Sequence, residues 1–177
     1  MASLTVSNLT ARITATHTAT GPSVTLGTGA AASLAVDKLV NSTLANGTAA
    51  GQADRIYAGT RTLAASTTED LDLAGGLTDA FGSTITFVKV KALLIVAAAA
   101  NTNNVVVGAA SANQWVTLFN STGTTTLRPG ATACYIAGSA DATGWTVTAS
   151  TGDLLKVANS GAGSSVSYDI VIVGTSA

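Results

Sequence analysis

Alternation of apolar and polar side chains with a period of two is the strongest pattern in this chain. It is clearest over residues 83–96, where the even positions from Val88 to Val96 are apolar and Lys89 and Lys91 occupy odd positions. Successive side chains of a strand point to opposite faces, so we expect a strand with both lysines on its solvated face. Beyond Lys91 both faces become apolar, which predicts cover on both sides, from a second sheet and from a neighbouring subunit or segment.

Similar short runs recur from about residue 60 onward, and turn residues separate them. In Leu127-Arg128-Pro129-Gly130, proline fixes φ and glycine supplies a positive φ, which predicts a type II turn. Strands and turns in regular succession are typical of all-β sandwiches and barrels. We therefore predict an all-β fold, a β-sandwich or jelly roll of about eight strands with an extended N-terminal arm. The predicted strands cover residues 61–63, 71–73, 83–96, 105–107, 115–119, 131–137, 145–149, 154–158 and 166–173.

The first 58 residues differ from the rest of the chain. Their apolar residues stand singly among Thr, Ser and Asn, so we do not expect this segment to form a large core of its own. We expect residues 1–58 to form an N-terminal arm or attachment segment that pairs with a neighbour, and residues 59–177 to form the sandwich domain. Within the arm, residues 24–26 predict a short strand and the alanine-rich residues 31–40 predict a short helix.

Composition limits the classes of function that this chain can have. The chain of 177 residues is 47% hydrophobic and only 10% charged, with one histidine, one cysteine and a net charge of -1. Its mean hydropathy is +0.44. Catalytic sites usually gather several titratable or metal-binding groups in a cleft, so this composition argues against an enzyme. A small domain with so little charge is expected to bury apolar surface between subunits, which predicts a homo-oligomer.

Charge and hydropathy also disfavour two classes of partner. The eight basic residues are scattered and form no stripe with aromatic residues, so we expect no nucleic-acid binding. Lys89 and Lys91 could contact a phosphate, although a solvated strand face is the preferred interpretation. The start, Met1-Ala2-Ser3-Leu4, lacks a signal-peptide pattern, and the longest apolar run, residues 92–100, is too short for a bilayer. We expect synthesis in the cytoplasm and no membrane insertion.

Two segments offer candidate ligand sites. Glu69, Asp70 and Asp72, with Asp79 further on, form the one acidic cluster. They could hold a hard cation such as calcium, but the spacing of a calcium loop is missing, so a solvated strand and turn is preferred. Residues 27–32, Gly-Thr-Gly-Ala-Ala-Ala, loosely resemble a dinucleotide fingerprint without the βαβ unit that should follow. The sequence therefore predicts no catalytic, cofactor-binding or metal-ligating residue.

Four further residues receive structural interpretations. Cys134 lies among small and apolar residues and is expected to be a buried thiol, since no histidine partner is evident. Trp115 and Trp145 could bind a sugar or a protein, but each stands in a strand-like run, so packing in a core or interface is expected. His17 is expected to be exposed or packed at a contact.

Two stretches carry a resemblance to a known group of proteins. The first runs from Leu44 through Gly51-Gln52-Ala53-Asp54-Arg55-Ile56-Tyr57 and Thr68-Glu69-Asp70-Leu71-Asp72-Leu73-Ala74-Gly75 to Gly82. The second is the ending, Gly144-Trp145-Thr146-Val147, then residues 152–159 and 168–174. Together they resemble small virion proteins of tailed bacteriophages, some of which are jelly-roll capsid decoration or cement proteins.

The resemblance implies a function and a set of partners. It implies a non-enzymatic virion protein, a homotrimer seated on the major capsid protein or another virion protein where shell subunits meet. The alternative is a receptor-binding or fibre-tip module whose loops, such as residues 138–144, contact a host glycan or protein. Either role implies assembly in the host cytoplasm and a final location in the virion.

Overall fold

A computed structural model describes residue 4 and residues 6–19 and 32–177 of the chain. The described residues are almost entirely β-structure, with fourteen strands and one four-residue helix, so the predicted all-β fold is confirmed and the strand count exceeds eight. In chain order the strands are β1 Val6–Ala19, β2 Ala32–Asn46, β3 Gln52–Ala53, β4 Arg55–Leu63, β5 Thr68–Asp72, β6 Leu77–Thr78, β7 Thr84–Ile85, β8 Lys89–Ala97, β9 Val105–Gly108, β10 Thr124–Leu127, β11 Thr132–Ile136, β12 Trp145–Thr146, β13 Leu154–Asn159 and β14 Val166–Thr175, with α1 Val116–Phe119 between β9 and β10.

Two antiparallel sheets form the body of the molecule. The five-stranded sheet has the order β11-β8-β14-β4, with β12 also paired to β8, and the four-stranded sheet has the order β10-β9-β13-β5. Alternate side chains of both sheets point into one shared core, as in a sandwich. Strand β14 shows why the sequence folds this way, because Val166, Tyr168, Ile170 and Ile172 share one face and all are buried.

The remaining strands lie outside these two sheets. Strands β1 and β2 pair antiparallel over their whole length, from Val6 opposite Ala45 to Ala19 opposite Ala32, and β3 adds a short parallel pairing to β2. We call β1 and β2 together the ribbon. Strands β6 and β7 form a small hairpin. The boundary expected near residue 58 falls inside β4, which begins at Arg55 and pairs along its length with β14.

The type II turn occurs where the sequence predicts it. The amide of Ala131 donates to the carbonyl oxygen of Arg128 at 2.8 Å, and Gly130 has a φ of 77°. A side chain at Gly130 would be strained at that positive φ, so glycine allows the close connection between β10 and β11.

Two predicted elements are wrong. A helix is expected over residues 31–40, but residues 32–40 belong to strand β2. Its alanines favour a helix locally, but hydrogen-bonded pairing with β1 satisfies the backbone of the whole segment instead. The strand expected over residues 115–119 is the single helical turn α1, preceded by Trp115. This turn places the rings of Trp115 and Phe119 edge to face, with centroids 6.4 Å apart, in the core.

The predicted orientation of β8 is also wrong over most of the strand. Val173 of β14 pairs with Ala92, but the next residue, Gly174, pairs with Val90, so the pairing skips Lys91. Such a bulge inserts one residue and reverses which side chains face inward beyond it. Leu93, Ile95 and Ala97 therefore enter the core, while Leu94 and Val96 lie on the opposite face and are half-buried.

Candidate functional site: the ribbon and the sheet face beneath it

The two faces of the ribbon differ in polarity. Residues directly opposite each other in an antiparallel pair point to the same face, so odd positions of β1 share a face with even positions of β2. We call this side the apolar face of the ribbon. Its described members from residue 7 to residue 44 are Ser7, Leu9, Ala11, Ile13 and Ala15 on β1 and Val36, Lys38, Val40, Ser42 and Leu44 on β2.

The opposite, polar face holds the two strands together. Arg12 donates to both carboxylate oxygens of Asp37, through Nε at 2.9 Å and through Nη2 at 2.6 Å. This hydrogen-bonded ion pair raises the pKa of Arg12. Near the base, the hydroxyl of Thr43 donates to the side-chain oxygen of Asn8 at 2.8 Å. Leu39 is the one large apolar side chain on this face between residues 8–16 and 35–43.

At its base the apolar face already packs on the sandwich. Leu44 forms a second apolar cluster with Ala53 and with Ala92 and Val173 of the five-stranded sheet. Leu4 and Leu9 pack against this cluster from the ribbon side. The N-terminal ribbon is thus seated on the outer surface of the sheet, the side turned away from the main core.

Farther along the ribbon the same face is uncovered. Residues 10–16 and 35–41 are all exposed, and Ile13, Val36 and Val40 expose 71%, 46% and 46% of their surface. Two-stranded ribbons are only marginally stable in water, and a contiguous exposed apolar strip marks an interaction surface. The ribbon therefore carries apolar side chains that nothing in the described part of the chain covers.

The outer face of the five-stranded sheet is the second uncovered surface. Strand registers align its residues in three rows across the strands β4, β14, β8 and β11. The first row, which carries the ribbon base, is Ile56, Val173, Ala92 and Ile136; the second is Ala58, Val171, Leu94 and Cys134; the third is Thr60, Asp169, Val96 and Thr132. In the second and third rows every residue is exposed or half-buried.

A cleft separates the ribbon base from this outer face. It has a volume of about 350 Å³, with Leu4, Ser7 and Leu9 on one wall and Leu94, Cys134 and Val171 on the other. The hydroxyl of Ser7 is buried without a hydrogen-bond partner. Apart from this hydroxyl, the side chains named on both walls are mainly apolar. The cleft therefore suits apolar side chains better than a charged ligand.

The acidic cluster does not assemble into a site. Asp72 Oδ1 accepts from the amide of Ala74 at 2.8 Å, and Asp79 Oδ1 accepts from the amides of Phe81 and Ser83 at 2.9 and 2.8 Å. These carboxylates shape turns, while Asp70 is exposed. Across residues 6–19 and 32–177, no three His, Cys, Asp or Glu side chains are placed to hold a metal ion.

Glu69 instead connects the two sheets. It lies on β5 and accepts from Arg61 Nε of β4 at 2.7 Å and from the hydroxyl of Tyr168 of β14 at 2.7 Å. Arg61 Nη1 also donates to the hydroxyl of Tyr57 at 3.1 Å. Burial raises the pKa of the Tyr168 hydroxyl, and the hydrogen bond to Glu69 raises it further. Local sequence pattern carries no signal for this network, because Tyr168 lies 99 residues from Glu69 and meets it only through the packing of the two sheets.

The two lysines of β8 have different surroundings. Lys89 is half-buried, whereas Lys91 is only 1% exposed and donates from Nζ to the backbone oxygen of Asp141 at 2.5 Å. Burial lowers the pKa of Lys91. The expectation that Lys91 lies on a solvated face is therefore wrong, because the loop of residues 138–144 covers this bulged residue.

That loop is shaped by its own residues. Asp141 Oδ1 accepts from the amides of Thr143 and Gly144 at 2.8 and 3.0 Å, which lowers the pKa of Asp141. Gly144 has a φ of 57°, and a Cβ there would lie 2.4 Å from the carbonyl oxygen of Val90. Glycine is required at this close approach.

Of the remaining candidate residues, the two tryptophans lie where the sequence predicts and the cysteine does not. Trp115 is buried in the core, with Nε1 donating to the carbonyl oxygen of Thr146 at 2.9 Å, and Trp145 packs against that core while half-buried, so core packing is confirmed. Cys134 is exposed, so the expected buried thiol is wrong: its position on β11 faces outward. The backbone of His17 lies in β1, but its side chain is outside the described residues, as are the glycine-rich segment 27–31 and the strand expected over 24–26.

Both strands of the ribbon show alternation in the sequence, but their small and polar residues make the pattern weak. Leu9, Ala11, Ile13 and Ala15 alternate with Thr10, Arg12 and Thr14, and Val36, Lys38 and Val40 alternate with Asp37 and Leu39. The small size of the alanines weakens the pattern, and the pairing of the two segments is visible only in the structure.

Among the described residues, no helix combines the length and apolar character needed to cross a membrane.

Three comparisons with known proteins find no relative of this chain. Neither the comparison with protein-family models nor the searches of curated proteins and of solved structures find a match to this chain.

Proposed function

We propose that this protein is a non-enzymatic structural component of a tailed-phage virion, a decoration or cement protein that stabilises the capsid shell. The observation that carries the proposal is the ribbon, which presents an uncovered apolar face on a long two-stranded extension. Such a surface favours a role in assembly. The resemblance of residues 44–82 and 144–174 to small virion proteins supplies the context.

The titratable side chains support a structural role. Glu69 is engaged by Arg61 and Tyr168, and Asp54 by Arg55 and by the amide and hydroxyl of Ser176. These bonds join strands, and the turn-forming carboxylates shape loops. These carboxylates therefore serve the fold, which supports a structural role for the protein.

In this proposal the protein acts as a homotrimer on the outside of the shell. The ribbons hold the subunits together, and several weak contacts that one trimer makes at once across a junction of capsid subunits give strong attachment. The protein is made in the host cytoplasm and remains in the finished virion. No step requires a cofactor, a nucleic acid or a membrane.

The runner-up is a receptor-binding or fibre-tip module. One observation favours it: Phe81, in the loop between β6 and β7, is 82% exposed. It lies beside a second cleft of about 430 Å³ that also includes Arg55 and Ile56. An exposed aromatic side chain at a loop tip suits contact with a sugar or a protein.

The copy number in purified virions separates the two proposals. We would measure it by quantitative mass spectrometry relative to the major capsid protein. A ratio near the abundance of the capsid protein supports decoration, whereas a few copies per virion supports a fibre or tip. Absence from virions contradicts both.

A matched pair of phage variants sharpens the test. Ile13→Asp places a charge on the apolar face of the ribbon, and Thr14→Asp places it on the polar face of the same strand. We expect the first to lower the copy number in virions and the second to leave it unchanged. Equal effects would contradict attachment through the apolar face.

A further inference from the structure

The uncovered part of the ribbon and the uncovered part of the outer sheet face have matching chemistry. The contact between Leu44 or Leu9 and the first row of the outer face is already made within one chain. Beyond this contact, each surface continues without cover: the ribbon as Ala11, Ile13, Ala15, Val36 and Val40, and the sheet as the second and third rows.

We propose that the apolar face of the ribbon of one copy docks on the outer face of the five-stranded sheet of a second copy, in a closed ring of subunits. This inference rests on the proposed structural role and names the partner of the ribbon. The intrachain contact at the base is the start of the interface, and the second copy extends it along both surfaces.

Charge supports the choice of a second copy as the occupant. Among the described side chains, Lys38 is the one charged group on the apolar face of the ribbon, and Asp169 is the one charged group in the three rows of the outer face. Both are exposed, and neither forms an ion pair within the described part of the chain. Two surfaces that each carry a single charge of opposite sign beside apolar side chains are complementary in charge as well as in polarity.

The dimensions agree with this docking. The exposed apolar segment covers residues 11–15 and 36–40, about 17 Å at about 3.4 Å per residue. Four strands spaced about 4.8 Å apart extend about 14 Å between the outer two. The ribbon is therefore long enough to cross the sheet, and the cleft at its base accepts side chains from the incoming copy.

A ring follows from the geometry of the contact. The ribbon and the sheet face are different surfaces, so the interface is heterologous, and every copy has one of each to offer. A rotation that closes after a few copies satisfies all of them and leaves no exposed apolar strip. An open arrangement would instead produce fibres.

The single cysteine permits a direct test. Cys134 is exposed in the second row of the outer face. We would prepare ¹⁵N-labelled full-length chains that carry Cys134→Ser and one new cysteine on the ribbon, mix them with the unlabelled natural chain, and oxidise gently with copper phenanthroline. Three variants place the new thiol on the apolar face and three place it on the polar face: Ala11→Cys, Ile13→Cys and Ala15→Cys against Thr10→Cys, Thr14→Cys and Thr16→Cys.

The expected result is a disulfide between the labelled ribbon and Cys134 of the unlabelled chain for at least one variant of the first set, at about tenfold higher yield than for any of the second set. Mass spectrometry of the joined peptides identifies the link, and circular dichroism confirms that each variant is folded. Equal yields on both faces, or no mixed disulfide from any variant, would overturn the proposal.

A charge exchange tests the same contact without cysteine. Lys38→Glu and Asp169→Lys should each raise the dissociation constant of the oligomer about two- to fivefold, because each leaves like charges opposed. The double variant should recover the natural value. Additive weakening in the double variant would show that these two residues do not meet.

The outcome is distinguishable from that of the virion experiment. Mixed disulfides in a protein that is absent from virions would sustain the ribbon contact and reject the decoration role. A high copy number without mixed disulfides would sustain decoration and reject the contact, since the ribbon would then bind the shell itself.

Discussion

The sandwich and the ribbon are both built from strands that alternate apolar and polar side chains, but they differ in what covers the apolar side. In the sandwich, β14 lies between two partner strands and its apolar face meets a second sheet. In the ribbon, the apolar face is covered only at its base, near Leu44. The same local pattern therefore produces a core in one region and an exposed apolar face in the other.

The polar contacts of the two regions differ in the same way. The Arg61–Glu69 pair links the two sheets and includes the buried hydroxyl of Tyr168, whereas the Arg12–Asp37 pair lies in the open on the ribbon. Buried hydrogen-bonded charges are costly to disturb, but exposed pairs contribute little. The sandwich should therefore be sensitive to substitution and the ribbon tolerant.

The largest contrast is expected for two leucines. Leu93→Ala should lower the free energy of unfolding by about 2–5 kcal/mol, because it opens a cavity in the core. Leu39→Ala, on the polar face of the ribbon, should change it by no more than about 0.5 kcal/mol, since Leu39 is 53% exposed. Urea unfolding at low protein concentration measures both. A comparable loss in the two variants would mean that the ribbon is packed as tightly as the core.

The second contrast concerns the two ion pairs. Glu69→Gln should lower the free energy of unfolding by about 1–3 kcal/mol, because it weakens charge-assisted bonds to Arg61 and Tyr168. The matched variant Asp37→Asn, in the exposed ribbon pair, should give an unfolding curve that overlays that of the natural protein. Overlay of both curves would contradict a structural role for the Glu69 network.

The third test uses pH and the buried lysine. Lys91→Met keeps the buried stem and removes the ammonium, so at neutral pH it should raise the free energy of unfolding by about 1 kcal/mol. Burial lowers the folded-state pKa of Lys91 below its unfolded value of 10.5. Between these two pKa values the folded state binds fewer protons than the unfolded state, so the natural protein gains stability as pH rises.

The advantage of Lys91→Met should therefore shrink as pH approaches 10.5. Comparing the two proteins at each pH cancels the contribution of every group other than Lys91. Lys89→Met is the control, because it makes the same substitution two positions away at a half-buried residue. If the difference in the free energy of unfolding between Lys91→Met and the natural protein stayed constant with pH, burial of the Lys91 ammonium would not be destabilising.

The smallest effect on stability is expected from shortening the ribbon. Thr10 and Asn41 are directly opposed, so replacing residues 11–40 by Asn-Gly closes the base with a two-residue hairpin turn. The sandwich should keep its free energy of unfolding to within about 0.5 kcal/mol, while sedimentation should show loss of the oligomer. Unfolding of the shortened chain would contradict the separation of the two regions.

Much of the fold was predictable from local pattern. The strands β9, β11, β13 and β14 coincide with predicted runs, and the turn before β11 forms where Pro129-Gly130 occurs. These elements were accessible because each is encoded by neighbouring residues. The candidate site was accessible only in part: an attachment arm and a second covered face of the strand after Lys91 were expected, but the pairing of β1 with β2 and the apolar face of the ribbon were not.

The all-β class, most strands of the sandwich and the scarcity of reactive groups follow from the amino-acid sequence, because alternation, turn residues and composition are local properties. The orientation of β8, the exposure of Cys134 and the pairing of β1 with β2 depend on contacts between distant segments. A one-residue bulge reverses every side chain beyond it, and strand pairing joins residues far apart in the chain. Those choices are made by contacts between segments, which no single segment encodes.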